Sequence, residues 1–232
     1  MIQTHKLISK KRPQDNRQVY VAIDFETIDI DTWWTVSVVV TNFPEGQIIE
    51  QFTTGVDRSL HSIQDKSIKD FWADHKAAFE INTEIAGRCS EAFAEKELVN
   101  YITDLKRKYQ SFFLITDNPA FDVRLLDNIL AKYGKDAMSL RNGDYFQAID
   151  TWSYRLATMQ ILGFRSHELS RVHSTLQRPF FRDVTSFVQN SGGLRHTPVF
   201  DACVLTSQYF QVKDIVASRR RSQQNNRSQM HQ

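Results

Sequence analysis

The chain has few of the residues that mark several common protein classes. Its two cysteines, Cys89 and Cys203, are too few for a disulfide framework or, by themselves, for a zinc site. No apolar run approaches the roughly 18 to 20 residues of a membrane span, and residues 1–20 lack the apolar stretch of a signal peptide. We therefore expect a protein of a reducing, cytoplasmic compartment that has no membrane partner.

Hydrophobic residues make up 41% of the 232-residue chain, which is enough for one sizeable core. The charge is distributed unevenly. Residues 1–18 carry five basic side chains and one acidic one, and residues 218–232 carry four Arg and no acid, although the net charge is only +2. We predict a basic N-terminal arm at 1–18, one domain at 19–217 and a disordered basic tail at 218–232. The acidic body and basic ends suit a protein that meets a polyanion, but basic tails also serve simply to keep a chain soluble.

The distribution of β-branched and apolar residues predicts a mixed α/β fold. Strands are predicted at 18–24, 33–42, 47–54, 111–116 and 145–150, with a turn at 43–46. Helices are predicted at 68–79, 91–109, 121–133 and 198–216. The first three strands are joined by short links, which favours an antiparallel meander. The later alternation of strands and helices indicates a mixed sheet with helices on its faces.

Asp24 and Glu26 end the first predicted strand. Residues two apart on a strand point to the same face, so the two carboxylates lie side by side and repel each other. A divalent cation between them would remove that repulsion, and Mg²⁺ prefers oxygen ligands. The alternative is an exposed acidic turn.

Two further segments, Asn118–Asp122 and Thr197–Asp201, share one pattern. Each begins with a residue that favours the helix N-cap, followed by Pro at the first helical position. Each then places Phe and Asp in order, so that both Asp side chains lie at the fourth helical position. The helix dipole favours their ionised form there, and the first of them follows a strand-to-helix junction, where open α/β sheets bind ligands. Alternatively, each Asp only stabilises the start of its helix and has no role in a site.

His196 lies five residues before Asp201 and follows the pair Gly192-Gly193. Its ordinary pKa of about 6.5 suits a group that takes a proton from water near neutral pH. An exposed loop histidine would have the same sequence context, so this residue alone does not decide the function.

Taken in order, these residues resemble the three motifs of the DEDDh branch of the DEDD exonucleases, a ribonuclease-H-like superfamily. Asp24-Phe-Glu26 is similar to the first motif, Asn118-Pro-Ala-Phe-Asp122 to the second and His196-Thr-Pro-Val-Phe-Asp201-Ala202 to the third. Pro198 and Asp117 depart from the residues that many members have, at positions that bind no metal. The resemblance covers roughly residues 19–216 and is nearest to small stand-alone exonucleases of viral and bacterial type.

The resemblance implies a 3′-5′ exonuclease that removes nucleoside 5′-monophosphates from single-stranded DNA or RNA by two-metal-ion hydrolysis. Two Mg²⁺ or Mn²⁺ ions would be held by Asp24, Glu26, Asp122 and Asp201. Asp24 would bridge the ions, and His196 would be the general base.

The resemblance also implies contacts to the 3′ end of the substrate. The segment Lys66–Trp72 is similar to one that carries an aromatic pair in the small exonucleases, so Phe71 and Trp72 are candidates to stack on a base. A place for both rings in the core is the alternative. The other candidate substrate-binding residues are Phe25, Thr27, Asn118 and Phe121.

Two other functions stay open at this stage. The chain could be a catalytically inactive member of the same fold that binds nucleic acid or a protein partner, although all five catalytic positions are intact. It could also be a nuclease of another branch, such as a ribonuclease H, against which the spacing of His196 and Asp201 argues. A homodimer is one option for its assembly.

Overall fold

A computed structural model describes residues 18–29, 32–42, 47–58, 63, 65–109, 111–135, 148–161 and 195–229. Residues 1–17 of the predicted N-terminal arm and the turn at 43–46 lie outside these ranges. The strands are β1 (Gln18–Thr27), β2 (Trp33–Asn42), β3 (Ile48–Gly55), β4 (Ser111–Thr116) and β5 (Ala148–Asp150). The helices are α1 (Lys66–Asp74), α2 (Lys76–Ala86), α3 (Glu91–Lys108), α4 (Pro119–Lys132), α5 (Thr151–Ile161) and α6 (Pro198–Gln229).

The five strands form one mixed sheet in the order β3-β2-β1-β4-β5. β1 pairs antiparallel with β2, and β2 pairs antiparallel with β3, which confirms the predicted meander. β1 pairs parallel with β4, and β4 pairs parallel with β5. The fold is thus an α/β mixed sheet flanked by helices, and β1 lies at its centre.

The alternation of side chains along β1 divides the core into two layers. Val19, Val21 and Ile23 pack with apolar residues of α3 and α4. Tyr20 and Ala22 face the other side and pack with α6. Both faces of β1 are therefore buried, as the almost wholly apolar start of this strand requires.

A third cluster joins the α1–α2 pair to the start of β2. The register between β1 and β2 shifts between Glu26 and Thr27, where Thr35 pairs with Glu26 and Trp33 pairs with Thr27. Trp34 is the extra residue of this irregularity, and its ring packs against Trp72 at a centroid distance of 5.3 Å. Such bulges often lie beside functional sites, because they redirect the strand end.

Two predicted elements differ from the structure. The helix expected at 68–79 is two helices, because His75 leaves the helical conformation at φ −113° and ψ 39°. The predicted disordered tail is instead helical, since α6 continues to Gln229. Residues 218–229 contain no Gly or Pro, and extending an existing helix adds hydrogen bonds without a new nucleation step.

Candidate active site

The carboxyl end of β1 positions the first two acidic side chains. Asp24 and Glu26 continue the row of Tyr20 and Ala22, whose side chains pack against α6. Both carboxylates therefore lie on the α6 side of the sheet, as their spacing predicts.

Asp122 lies in the first turn of α4 and is almost fully buried, with only 2% of its surface exposed. Its carboxylate accepts a hydrogen bond from the backbone N–H of Phe25 at 3.3 Å and another from the hydroxyl of Thr116. Pro119 begins the helix as predicted, but Asn118 at the cap position makes no side-chain capping bond to the described residues. The Asn118 N–H donates instead to the Thr116 hydroxyl oxygen at 3.1 Å, so Thr116 links this helix start to its acidic residue.

Asp201 lies at the fourth position of α6, and its backbone N–H donates to the carbonyl of Thr197 at 3.0 Å. Its side chain reaches back toward the loop, and Oδ2 accepts a hydrogen bond from the backbone N–H of His196 at 2.7 Å. The helix start thus fixes the carboxylate and the loop histidine relative to each other.

Three of the predicted site residues come very close together. One ligand atom each from Glu26, His196 and Asp201 can be chosen so that all three lie within 4.8 Å of one another. A carboxylate pair with an imidazole at this separation suits a divalent cation.

The electrostatics of the site show a crowded set of carboxylates. Burial and the negative charge of Asp201 raise the pKa of Glu26 to about 8. Burial likewise raises the pKa of Asp122 to about 7, against the hydrogen bond from Thr116, and that of Asp201 to about 6. Burial and the neighbouring Glu26 raise the pKa of Asp24 well above its ordinary value. Protons are retained chiefly because burial disfavours the charged carboxylates, and their mutual repulsion adds to this effect.

The residues present fit a divalent metal. Asp24 Oδ2 is buried and has no hydrogen-bond partner among the described residues, which is costly for a carboxylate oxygen. Burial and the negative charge of Asp201 favour a proton on Glu26, and ligand atoms of the two carboxylates lie within 4.8 Å of each other. A cation would satisfy the orphaned oxygen and replace that proton. Oxygen-rich donor sets of this kind suit hard divalent cations.

The acidic side chains open into a cavity of about 580 Å³. Phe25, Asn118 and Phe121, three of the candidate substrate contacts, line it. Residues that the sequence interpretation did not select also line it: Asp117, Arg195, Phe200, Val204, Leu205 and Gln208. Among the described lining residues Arg195 is the one Lys or Arg, so it is the strongest contact that the cavity offers to an anion.

The structure separates the two aromatic residues of the predicted stacking pair. Phe71 is 37% exposed and lies edge-on to the His196 ring at 4.9 Å between centroids. Trp72 is only 3% exposed, packs between Trp34 and Phe79, and donates its indole N–H to the carbonyl of Thr27 at 3.3 Å. The prediction that Trp72 stacks on a base is corrected, since its ring is part of the core.

Two other predicted substrate contacts are less accessible than expected. Phe25 lines the cavity, but its ring is only 6% exposed and packs edge-on against Trp33, so it is chiefly a core residue. Thr27 lies outside the cavity lining, and its carbonyl accepts the Trp72 indole N–H. These two residues support the strand end that carries Asp24 and Glu26.

Sequence reasoning missed residues that contact the site from positions far away in the sequence. His75 lies against the His196 ring at 4.5 Å between centroids, and Asn82 donates to the His196 carbonyl at 2.7 Å. A signal for Asn82 exists in the sequence, because it is the polar member of a stripe with Ala78 and Ala86 on the buried face of α2. Arg195 could have been noticed as the neighbour of the predicted base.

No family model matches the sequence, and a search of curated proteins finds no match either. Solved structures share the fold. The zinc-bound complex of E. coli exonuclease I with single-stranded DNA has a TM-score of 0.52 and 13% identity over 87% of this chain. The exonuclease I complex with a dA16 oligonucleotide has a TM-score of 0.53 and 12% identity over 85% of this chain. The nuclease domain of 3′hExo, a DEDDh family member bound to rAMP, has a TM-score of 0.48 and 15% identity, over 88% of this chain and 94% of that one.

The chain spans 41% of the length of these exonuclease I chains. The likeness shows that this chain shares the α/β fold of the exonuclease I structures. The comparisons give no support to the homodimer that the sequence interpretation allowed. None of the helices in the described ranges is both long and apolar enough to cross a membrane.

Proposed function

We propose that the chain is a metal-dependent 3′-5′ exonuclease that removes nucleoside 5′-monophosphates from single-stranded DNA or RNA. The observation that carries this proposal is the meeting of Glu26, His196 and Asp201 within 4.8 Å, beside Asp24 and Asp122 in one cavity. Its fold neighbours include exonuclease I in complexes with single-stranded DNA, which supports the same class of substrate.

The acidic residues would hold two divalent ions. Glu26 and Asp201, with Asp24 as the shared ligand, would hold one ion, and Asp122 would help to hold the other. When bound, such ions provide Lewis-acid chemistry, which acidifies water and stabilises negative charge at the phosphate. Thr116 and the Phe25 N–H keep the Asp122 carboxylate in place, because both donate to it.

His196 would take the proton from the attacking water at a ring nitrogen and pass it to solvent. Burial, His75 and Arg195 lower the pKa of this imidazole, so it is a neutral base at physiological pH. Arg195, next to it, would contact the phosphate on the cavity side.

The cavity walls suggest how a strand end is held. Phe121 and Phe200 line the cavity from the first turns of α4 and α6, and Phe71 offers an exposed ring at the other side of His196. Aromatic faces stack on any base, whereas the acidic floor accepts a phosphodiester only with cations present. This arrangement favours a flexible single strand over a rigid duplex.

The test is product analysis on matched single-stranded DNA and RNA, each labelled at the 5′ end. With Mg²⁺ or Mn²⁺ we expect a ladder that shortens from the 3′ end and releases nucleoside 5′-monophosphates. Excess chelator should stop the reaction, and Ca²⁺ should support binding better than turnover because its coordination is looser. A substrate blocked at its 3′ end should resist degradation.

The matched control is Asp201→Asn. The amide oxygen can still accept the His196 N–H, so the loop stays in place, but the charge that would bind metal is lost. Undiminished activity in this variant, or in excess chelator, would contradict the metal mechanism. A folded wild-type protein that binds single strands without cleaving them would instead indicate the catalytically inactive alternative.

A further inference from the structure

The backbone of His196 has a conformation that requires support. Its φ is 65°, and it is the one residue other than glycine with a positive φ in the part of the chain that the structure describes. A side chain with a Cβ is disfavoured in this left-handed region, so the surrounding contacts must hold it there.

Both backbone polar groups of His196 are hydrogen-bonded, each by a side chain of a different helix. The N–H donates to Asp201 Oδ2 at 2.7 Å. The C=O accepts from Asn82 Nδ2, also at 2.7 Å, although Asn82 precedes it by 114 residues in the chain. The first contact belongs to the acidic set, whereas the second comes from α2, which carries no residue of that set.

The Asn82 amide can have only one orientation. The His196 carbonyl is an acceptor only, so the amide nitrogen must face it. The amide oxygen then faces Thr35, whose hydroxyl donates to Asn82 Oδ1 at 2.6 Å. Both side chains have no exposed surface, so no solvent competes for these bonds. Thr35 also pairs directly with Glu26 across the β1–β2 ladder.

We infer that Asn82 is a positioning residue for the reaction and that Thr35 orients it. The chain of bonds from Thr35 through Asn82 to the His196 carbonyl fixes the left-handed turn that aims the imidazole at the carboxylates. The inference rests on the proposed function, because positioning matters for turnover only if His196 takes part in it. Asn82 itself touches neither substrate nor metal.

The test compares Asn82→Asp, Asn82→Ala and Thr35→Val with wild type. Asn82→Asp is nearly isosteric and keeps an acceptor for Thr35, but it places an oxygen against the His196 carbonyl. We expect kcat to fall by about 10²-fold in the two Asn82 variants, the scale of a misplacement of about 1 Å, and less in Thr35→Val. KM should stay unchanged, because the phosphate and base contacts remain.

Thr41→Val is the matched control. Thr41 is fully buried on the same strand, and its hydroxyl donates to the Tyr20 carbonyl at the end of β2 away from His196. This variant should keep wild-type kcat and KM. If Thr41→Val loses kcat as much as Thr35→Val, the effect is general to buried hydroxyls and the inference is overturned.

A second readout does not depend on activity. In metal-free protein, the ring ¹H–¹³C NMR signal of His196, identified by its loss in His196→Ala, should shift in Asn82→Asp and in Thr35→Val. An unchanged signal in folded variants would overturn the inference, as would wild-type kcat in both Asn82 variants. If the Asn82 variants do not fold, Thr35→Val decides by the same two measurements. Inactive wild-type protein would refute the proposed function, and the NMR shift would still test the positioning of His196.

Discussion

The His196 ring lies edge-on to two aromatic neighbours, Phe71 at 4.9 Å and His75 at 4.5 Å between centroids. His75 is itself stacked on Phe71 at 4.4 Å. The three rings form one small cluster at the rim of the acidic set. This packing limits rotation of the imidazole and partly removes it from water.

Replacing His196 by Ala should lower kcat by about 10² to 10⁴-fold, the usual effect of losing a general base. KM should change little, since the acidic residues and the aromatic walls remain. The kcat of the wild type should rise with pH through a midpoint below the ordinary histidine pKa, because burial lowers the pKa of this group. His196→Gln should not restore activity, because an amide does not accept a proton at neutral pH.

Steady-state kinetics over a range of pH checks this prediction. His167→Ala and His173→Ala serve as controls and should keep both constants. Normal turnover with an unchanged profile in His196→Ala would mean that water is activated without this imidazole.

Phe71→Ala and Trp72→Ala should affect different properties, activity in the first case and stability in the second, although the residues are neighbours in α1. Phe71→Ala removes a partly exposed ring that contacts His196, so activity should fall while the melting temperature stays close to wild type. Trp72→Ala removes a core ring and should cost about 3–5 kcal/mol of unfolding free energy. Thermal unfolding and an exonuclease assay on both variants check this. A stability loss in Phe71→Ala equal to that in Trp72→Ala would contradict it.

At the scale of elements, the α1–α2 pair holds His196 because α2 lies very close to the sheet. A Cβ added to Gly55 at the end of β3 would lie 2.7 Å from the Thr35 methyl carbon and 3.0 Å from the Ala86 Cα. Glycine at this position therefore permits the contact between β3, β2 and the last turn of α2. The Asn82 bond to His196 depends on that close approach.

Gly55→Ala should destabilise the protein by about 1–3 kcal/mol, the usual cost of overpacking. It should also lower kcat, because α2 must move away from the sheet and Asn82 with it. Chemical unfolding and kinetics measure the two effects. Gly134→Ala is a control for adding a methyl group alone, since no atom lies within 4 Å of its Cβ position. Its positive φ of 63° makes some strain there expected, but kcat should be unaffected.

Some elements of the fold could be predicted from the local sequence, whereas contacts between distant residues could not. The β-branched run of β2 and the Pro residues at the starts of α4 and α6 predict those elements, since local chemistry determines them. The break at His75 was not predictable from periodicity, because the apolar pattern continues through it. The Asn82 contact joins residues 114 positions apart, and no local pattern contains that information. The burial of Trp72 likewise depends on the packing of α1 against residues distant in the sequence, so the local pattern could not predict it.

At the scale of the whole molecule, the retained protons make metal-free stability depend on pH. The folded protein has a pKa of about 8 at Glu26 and about 7 at Asp122, whereas the unfolded chain has ordinary values near 4. Between about pH 6.5 and pH 8 the folded state therefore binds more protons, so stability falls as the pH rises. The lowered pKa of His196 acts in the opposite direction, and its effect is largest below about pH 6.5 and fades above it.

In excess chelator the melting temperature should thus be higher near pH 6.5 than near pH 8, and Mg²⁺ should reduce the difference. Asp24→Asn should raise the metal-free melting temperature near pH 8, because it replaces a buried acid of the crowded set by a group that cannot ionise. Thermal unfolding with and without metal measures both. A melting temperature that rises with pH in chelator would show that the carboxylates are not crowded in solution.

The length of α6 has a consequence for the size of the substrate. Asp201 lies in its first turn, whereas the exposed Arg219 and Arg221 lie in its second half, so about 27 Å of rigid helix separates Asp201 from Arg219. An oligonucleotide shorter than this distance cannot touch both places. Affinity should therefore increase once the strand is long enough, and a chain truncated after residue 217 should lose that increase while its kcat at saturation is retained. Each lost phosphate contact should flatten the dependence of log K on log salt by about 0.7, so titrations over oligonucleotide length and salt measure how far along a strand the protein holds its substrate.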